Sequence, residues 1–270
     1  MREYIFLILI AAVVTYVATP AMRALAIRLH AYTSIRDRDV HAVVTPRLGG
    51  VAMYLGFAAA LLVASVLPFS KQMFAGDELW GVLAGATVVC LLGAVDDVRD
   101  LDWLVKLAGQ IVAASIMAYK GVQLFALPLG GSLVLPGPVL VGLTIFFVIL
   151  ATNAVNFVDG LDGLATGIVM ISSMSFFAYA YLVSRSYDPP NVFTSAAFIS
   201  AALVGCCLGF LPHNFHEARI FMGDSGALLL GLLLAAAMIS VTGTVSGADV
   251  SANPVAATVL PLIVPASILL

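Results

Sequence analysis

The densest polar chemistry in the sequence lies in NAVNFVDGLDGLATG, residues 153–167. Two amides and two carboxylates recur there at intervals of three residues: Asn153, Asn156, Asp159 and Asp162. They directly follow an apolar run, residues 139–152, and such polar groups are costly beside hydrocarbon unless they line a site or a water-filled cavity. A single Asp-Gly pair is an ordinary turn signal, but the repeat DGLDGLA favours a functional site at the edge of a membrane.

A second acidic segment is AVDDVRD, in which Asp96 and Asp97 follow an apolar run. Lys106 lies at the start of the apolar run that comes after this segment. Adjacent carboxylates repel each other, so the pair suits a divalent metal ion or a general base. A solvated acidic loop facing Arg99 is an equally good interpretation of these residues alone, and Lys106 alone is typical of a snorkelling lysine.

Two further segments carry chemistry on the same pattern. In RIFMGDSGALLLG, Asp224 opens an apolar run, where helix amides favour phosphate and a carboxylate can hold a hard cation; taken alone, Asp224 is more typical of an N-cap. In TPRLGG, residues 45–50, Arg47 can meet a phosphate and Gly49-Gly50 permits close backbone approach, with a basic loop before a helix as the alternative. His213 and His216 lack a third ligand at zinc-site spacing.

The composition predicts the elements that must position these residues. With 62% hydrophobic residues, 10% charged residues and a mean hydropathy of +1.09, the chain is predicted to be an all-α polytopic membrane protein rather than a soluble globule. A net charge of -3 with scattered Lys and Arg gives no indication of a nucleic-acid partner. The chain shows no internal repeat or linker, so residues 1–270 are interpreted as one transmembrane domain.

Apolar runs predict nine spans. They lie near residues 4–24, 48–68, 79–95, 103–119, 138–157, 164–184, 192–211, 224–242 and 254–270. The residues 121–137 alternate about a Gly-Gly turn and predict a small β-hairpin on the extracytoplasmic face.

Charge placement predicts the orientation. One set of alternate connections and span ends carries Arg23, Arg28, Arg36, Arg38, Arg47, Arg99, Lys106 and Arg219, whereas the other set carries Arg2, Lys71, Lys120 and Arg185. Eight against four favours a cytoplasmic location for the first set and an N-terminus outside. The acidic segments described above lie on that same predicted cytoplasmic face.

In this order, the motifs TPRLGG, VDDVRDL, NAVNFVDGLDGLATG and RIFMGDSGALLLG resemble those of the polyprenyl-phosphate N-acetylhexosamine-1-phosphate transferases, the membrane enzymes related to MraY and WecA. They look more like the WecA branch. The resemblance implies transfer of N-acetylglucosamine 1-phosphate from UDP-N-acetylglucosamine to undecaprenyl or decaprenyl phosphate, with release of UMP. It also implies a bacterial plasma-membrane location, a cytoplasmic active site, and homodimers in some members.

The resemblance further implies roles for individual residues. Asp224 looks like the principal ligand of Mg²⁺, or of Mn²⁺, with Asn156 on the same ion. Asp96 and Asp97 match the acidic catalytic pair, and Lys106 matches a lysine beside the phosphates. The implied substrate-binding residues are His41, Arg47, Asp159, Gly160, Leu161, Asp162 and Phe221, of which Gly160, Leu161 and Asp162 belong to the uridine pocket and Phe221 stacks on the base. A phosphate monoester has a second pKa near 6, so the lipid nucleophile is largely ionised at pH 7. We therefore expect Asp96 and Asp97 to act by positioning and electrostatics before proton removal.

The chain departs from the family in two places. Val43 and Val44 stand where relatives often have more polar residues, and the chain stops at Leu270 inside the ninth predicted span, where the family adds a His-rich loop and further helices. We therefore expect a transferase truncated at its C-terminus. The alternatives are the same chemistry with another UDP-N-acetylhexosamine or UDP-MurNAc-pentapeptide, a CDP-alcohol phosphotransferase, whose Ala-Arg after the Asp-Gly motif is missing, and a membrane transporter.

Overall fold

The computed structural model describes residues 1–32, 45–124, 127–128, 132–133, 136–186 and 193–242. Within these ranges the chain forms eight α-helices and one short 3-10 helix, Lys71–Phe74. The α-helices are α1 Arg2–Arg28, α2 Gly49–Val66, α3 Glu78–Arg99, α4 Trp103–Tyr119, α5 Gly137–Val158, α6 Leu164–Ser186, α7 Ser195–Asn214 and α8 Gly223–Thr242. Each corresponds to one of the first eight apolar runs, so the all-helical class predicted from composition is confirmed.

Seven of these helices, all except α4, are long and apolar enough to cross a membrane. The chain is therefore a multi-pass membrane protein. The helix α4 is apolar but has only 17 residues, close to the lower limit for a span. The ninth predicted span, residues 254–270, lies outside the described residues, and the total of nine spans stays a prediction.

Two short strands lie within the segment predicted to form a hairpin. The strands β1, Leu127–Pro128, and β2, Ser132–Leu133, pair in antiparallel fashion, with Leu127 opposite Leu133. The turn between them lies outside the described residues. The complete hairpin over residues 121–137 and its extracytoplasmic location remain predictions.

The helices α7 and α8 form the centre of the bundle. Over their apolar windows, 78% of α7 and 89% of α8 residues are buried, against 22% for α1. A helix that is apolar on all sides is stable in such a position because every face meets another helix. The helix α8 packs against α2, α3, α5 and α7. Its N-terminus lies against the start of α2 and the last turns of α3.

Small residues let α1 approach α7 closely. A Cβ on Gly205 would overlap the backbone carbonyl of Ile8, and a Cβ on Gly209 would overlap the backbone of Ala12. The spacing of four residues places both glycines on one face of α7, the small-xxx-small arrangement that allows helix backbones to pack closely in membranes.

The four connections predicted to share one face do meet at one end of the bundle. The backbone N–H of Phe221 donates to the Pro46 carbonyl at 2.9 Å, and Arg23 Nε donates to the Arg219 carbonyl at 2.9 Å. At the other end, Lys120 pairs with Asp77 at 2.9 Å. Which end faces the cytoplasm stays a prediction.

We predict that Gly209→Leu lowers the thermal unfolding temperature of the purified protein, because the new side chain forces α1 away from α7. Overpacking of this kind costs about 1–3 kcal/mol. The matched control is Gly142→Leu on α5, where, among the described residues, no atom outside the nearby backbone of α5 lies within 4 Å of the added Cβ. An equal loss of stability in both variants would contradict the role of close helix approach.

Candidate active site

Asp224, at the second position of α8, is the carboxylate on which three helices converge. Its Oδ2 accepts a hydrogen bond from Lys106 Nζ of α4 at 2.9 Å. Its Oδ1 accepts a hydrogen bond from Asn156 Nδ2 of α5 at 3.1 Å. Lys106, Asn156 and Asp224 are far apart in sequence, and the structure brings them together as the motifs predicted.

Asp96 joins the same cluster from the end of α3. Its Oδ2 lies 2.6 Å from Lys106 Nζ, and its Oδ1 accepts the backbone N–H of Leu101 at 2.7 Å. The carboxylate is buried, so the paired cation and the amide are needed to offset its desolvation. The Lys106 ammonium therefore lies between two carboxylates, those of Asp96 and Asp224.

Asp97 caps α8 from outside that helix. Its Oδ1 accepts the N–H of Asp224 at 2.8 Å and its Oδ2 accepts the N–H of Ser225 at 3.2 Å. Gly223 has a φ of +68°, and a Cβ there would overlap the Asp97 carboxylate. The first amides of α8 are thus used by Asp97, so the expectation that they point at a substrate phosphate is wrong for Asp224 and Ser225, because a buried carboxylate already occupies them.

Glycines allow the neighbouring helices to reach this N-terminus. A Cβ on Gly93 of α3 would overlap the backbone of Asp224 and Ser225, and a Cβ on Gly50 of α2 would overlap the backbone of Gly226. The close contact holds Asp97 within hydrogen-bonding distance of the α8 amides. The position of Asp224 is therefore determined by backbone packing as well as by its own hydrogen bonds.

The TPRLGG segment pairs with the chain that leads into α8. Gly49 donates its backbone N–H to the Phe221 carbonyl at 3.0 Å, and Gly50 donates to the Met222 carbonyl at 2.9 Å. The close approach predicted for Gly49-Gly50 is therefore an approach to this segment, and these two N–H groups are not directed at a phosphate. His41 lies outside the described residues.

The residues assigned to the uridine pocket lie in the connection between α5 and α6. Asp162 Oδ2 accepts the backbone N–H of Ala218 at 3.1 Å, which ties this connection to the one between α7 and α8. Gly160 and Leu161 are exposed beside it, and Phe221 is half-buried in the adjoining segment. The two connections meet as predicted, while the uridine pocket itself stays a prediction.

Asp159, in the same connection, has an unusual proton affinity. Burial, followed by the charges of Asp97 and Asp224, raises the pKa of its carboxyl from 3.8 to about 7, and Arg47 opposes the shift. Asp159 therefore interacts electrostatically with Arg47 and with the Asp224 cluster, which consists of Asp96, Asp97, Lys106, Asn156 and Asp224.

A second row of polar side chains lies beneath this cluster and includes a residue that motif reasoning did not single out. Gln110 of α4 accepts hydrogen bonds from Asn153 Nδ2 at 2.8 Å and from Thr152 Oγ1 at 3.3 Å. The available sequence signal was a glutamine within an apolar run, four residues after Lys106. On the other side, buried Asn214 accepts from Thr166 Oγ1 at 3.0 Å and donates to the Ile220 carbonyl at 3.1 Å.

The donor chemistry of the cluster suits a hard cation. Among the described residues, no group of three or more His, Cys, Asp or Glu side chains is arranged to hold a metal ion. Mg²⁺, however, usually takes one or two protein carboxylates and completes its shell with substrate phosphates and water. Asp224 is such a carboxylate, and Asn156, whose Nδ2 donates to Asp224 Oδ1, carries the amide oxygen that would turn to the same ion. The two residues therefore fit Mg²⁺.

Comparison with known proteins agrees with this arrangement. The chain is 45% identical over 251 residues to a decaprenyl-phosphate N-acetylglucosaminephosphotransferase of Mycobacterium leprae, covering 91% of this chain and 63% of the relative. It is 41% identical to the protein of that name from Mycolicibacterium smegmatis, covering 100% of this chain and 68% of the relative. A phospho-N-acetylmuramoyl-pentapeptide-transferase of Desulforudis audaxviator is 34% identical, covering 85% of this chain and 74% of the relative.

The chain spans about two thirds of the length of the first two relatives, at 63% and 68%. The family model described as glycosyl transferase family 4 matches residues 79–242, from the second residue of α3 to the end of α8, and so includes every residue of the Asp224 cluster. The chain therefore belongs to glycosyl transferase family 4, the membrane transferases that its motifs resemble.

Proposed function

We propose that this protein transfers N-acetylglucosamine 1-phosphate from UDP-N-acetylglucosamine to a polyprenyl phosphate and releases UMP. The observation that carries the proposal is the shared carboxylate of Asp224, which binds Lys106 and Asn156 while Asp97 caps its helix. A cation and oxygen donors at one end of a membrane bundle suit a reaction between a water-soluble nucleotide and a lipid head group.

The names of the relatives support the choice of sugar. The proteins named as decaprenyl-phosphate N-acetylglucosaminephosphotransferases are 41–45% identical to this chain, whereas the one named as a phospho-N-acetylmuramoyl-pentapeptide-transferase is 34% identical. UDP-N-acetylglucosamine is therefore the donor that we propose. Another UDP-N-acetylhexosamine or UDP-MurNAc-pentapeptide is the second candidate, because the shared site chemistry acts on phosphates and not on the sugar.

The proposed chemistry brings several negative charges together, since one phosphate attacks another. The Lys106 ammonium can turn from Asp96 and Asp224 to a bound phosphate and offset part of this charge. Asp224 and Asn156 would hold Mg²⁺, or Mn²⁺, which when bound supplies further positive charge and orients the phosphates.

Asp96 and Asp97 act in this proposal by positioning. Both oxygens of Asp97 accept α8 amides, and the oxygens of Asp96 contact Lys106 and the Leu101 amide. These contacts hold both carboxylates in place, and the lipid phosphate is already mostly ionised at pH 7. The pair therefore places Asp224 and Lys106 and leaves proton removal unnecessary.

The proposal includes the surroundings of the site. We place the Asp224 cluster at the cytoplasmic face of a bacterial plasma membrane and the N-terminus outside, on the distribution of Lys and Arg along the sequence. Polyprenyl phosphate would reach the site from the bilayer and the nucleotide from the cytoplasm. Association of two copies into a homodimer belongs to the same proposal.

Asp224→Asn is expected to abolish Mg²⁺-dependent release of UMP, with a loss of about 100-fold or more, because it removes the charge that Lys106 and the cation share. UMP is measured with membranes that contain the protein, UDP-N-acetylglucosamine and polyprenyl phosphate. The control is Asp77→Asn, whose carboxylate pairs with Lys120 at the other end of the bundle. Near wild-type turnover in Asp224→Asn would contradict the assignment.

Lys106→Met is expected to lower turnover by about 100-fold, since it removes the cation beside the reacting phosphates. The matched control is Lys120→Met, because Lys120 forms an ion pair of the same 2.9 Å length away from the site. Initial rates of UMP release are compared in both variants. A similar small effect in the two variants would show that Lys106 serves only as a structural ion pair.

A stability measurement tests the raised pKa of Asp159. Its folded-state pKa of about 7 lies above the ordinary 3.8. Between these two pH values, the carboxyl is protonated in the folded protein and ionised in the unfolded chain. Stability contributed by this group is complete below pH 4 and is lost as the pH rises through 7. Asp159→Asn should therefore raise the unfolding temperature relative to wild type more at pH 8 than at pH 5, with EDTA present. A difference that does not change with pH would refute the shift.

A further inference from the structure

Gln110 is a buried carboxamide on helix α4, in an apolar stretch that begins after Lys106. Only 3% of its surface is exposed. Its Oε1 accepts Asn153 Nδ2 at 2.8 Å and Thr152 Oγ1 at 3.3 Å, both from α5. A buried amide costs free energy unless it is hydrogen-bonded, so these two bonds make one register of α4 against α5 more stable than its neighbours.

That register also places the residues of the Asp224 cluster. Gln110 follows Lys106 by four residues on α4, and Asn153 precedes Asn156 by three residues on α5. Residues at these spacings share a helix face. The Gln110–Asn153 hydrogen bond is therefore the next layer of contact below the one in which Lys106 and Asn156 meet Asp224.

The two helices differ in how firmly the rest of the bundle holds them. The helix α5 lies directly on α8, because a Cβ on Gly231 would overlap the backbone of Thr152. The helix α4 is peripheral, and its large side chains Trp103 and Tyr119 are 67% and 88% exposed. Along its outer face, the side chains of Leu104, Val105 and Val112 are about half exposed within the described residues, so the position of α4 depends mainly on the contacts that its inner face makes.

We propose that Gln110 is a positioning residue, whose hydrogen bonds to Asn153 and Thr152 hold α4 in the register that brings the Lys106 ammonium to Asp224. The inference rests on the proposed transferase function for its kinetic consequence. Its structural content, that Gln110 determines where Lys106 lies, is independent of the substrate.

The kinetic test uses Gln110→Met, which keeps the length of the side chain and removes the acceptor. We expect kcat for UMP release to fall between about 10-fold and about 100-fold, because small displacements of a catalytic group have effects of that size. KM for the nucleotide should change little. The control is Tyr54→Phe, which removes an interhelical hydrogen bond of 2.8 Å between Tyr54 and Thr87 and should leave kcat unchanged.

A double-mutant cycle separates positioning from general loss of packing. If the two side chains act through their shared bond, Gln110→Met combined with Asn153→Leu should lower kcat no more than the more damaging single substitution. Multiplicative losses would overturn the proposal, and so would a Gln110→Met variant that retains kcat within about twofold of wild type.

A cross-linking experiment measures the register of α4 against α5 without an activity assay. Lys106→Cys and Asn156→Cys are combined, and a short bifunctional thiol reagent is added in the presence and absence of Gln110→Met. The yield of the α4–α5 cross-link should fall with Gln110→Met while the unfolding transition persists; an unchanged yield would overturn the proposal. A wild-type protein that releases no UMP would defeat the proposed function alone, because this experiment still tests the register.

Discussion

The concentration of carboxylates at the N-terminus of α8 is the constraint on which the rest of the site depends. Asp96 and Asp97 are buried and Asp224 is close to them, and buried charges are unfavourable unless they are paired and hydrogen-bonded. Lys106 pairs with both Asp96 and Asp224 and offsets part of their charge, while the α8 amides satisfy Asp97. Since these partners come from different helices, the requirement to offset charge also determines how α3, α4 and α8 are arranged.

Close backbone packing makes that arrangement possible. Gly93 and Gly50 allow α3 and α2 to touch the first turn of α8, and Gly223 leaves room for the Asp97 carboxylate. Within a membrane, apolar side chains gain little by leaving lipid for a protein neighbour, so close packing and polar contacts between helices carry more of the specificity. The glycines and the acidic cluster thus belong to one structural arrangement, in which small residues bring the polar groups within hydrogen-bonding distance.

The same arrangement of Lys106 and the carboxylates suits the phosphate chemistry of the proposed function. A lysine held between two carboxylates is charged and oriented before a substrate arrives, so little reorganisation is needed when a phosphate replaces one of its partners. Asp97 contributes by fixing the helix that carries Asp224, and the layer of Gln110 and Asn153 below contributes by holding the helices that carry Lys106 and Asn156. The layer of Lys106, Asn156 and Asp224 supplies charge, and the layer of Gln110 and Asn153 supplies register. The two roles together account for the dense polar residues at this end of an apolar bundle.

The sequence by itself determined the helices, the membrane class, the family and the residues that meet at Asp224. Apolar runs of membrane length and short motifs are local properties of the sequence, so they can be recognised without knowledge of the fold. Only the tertiary structure showed that Asp97 caps α8, that the Gly49 and Gly50 amides bind the segment before α8, and that Gln110 bonds to Asn153. These contacts join residues from 43 to more than 100 positions apart, and local periodicity carries no information about which polar group across such a separation satisfies which partner.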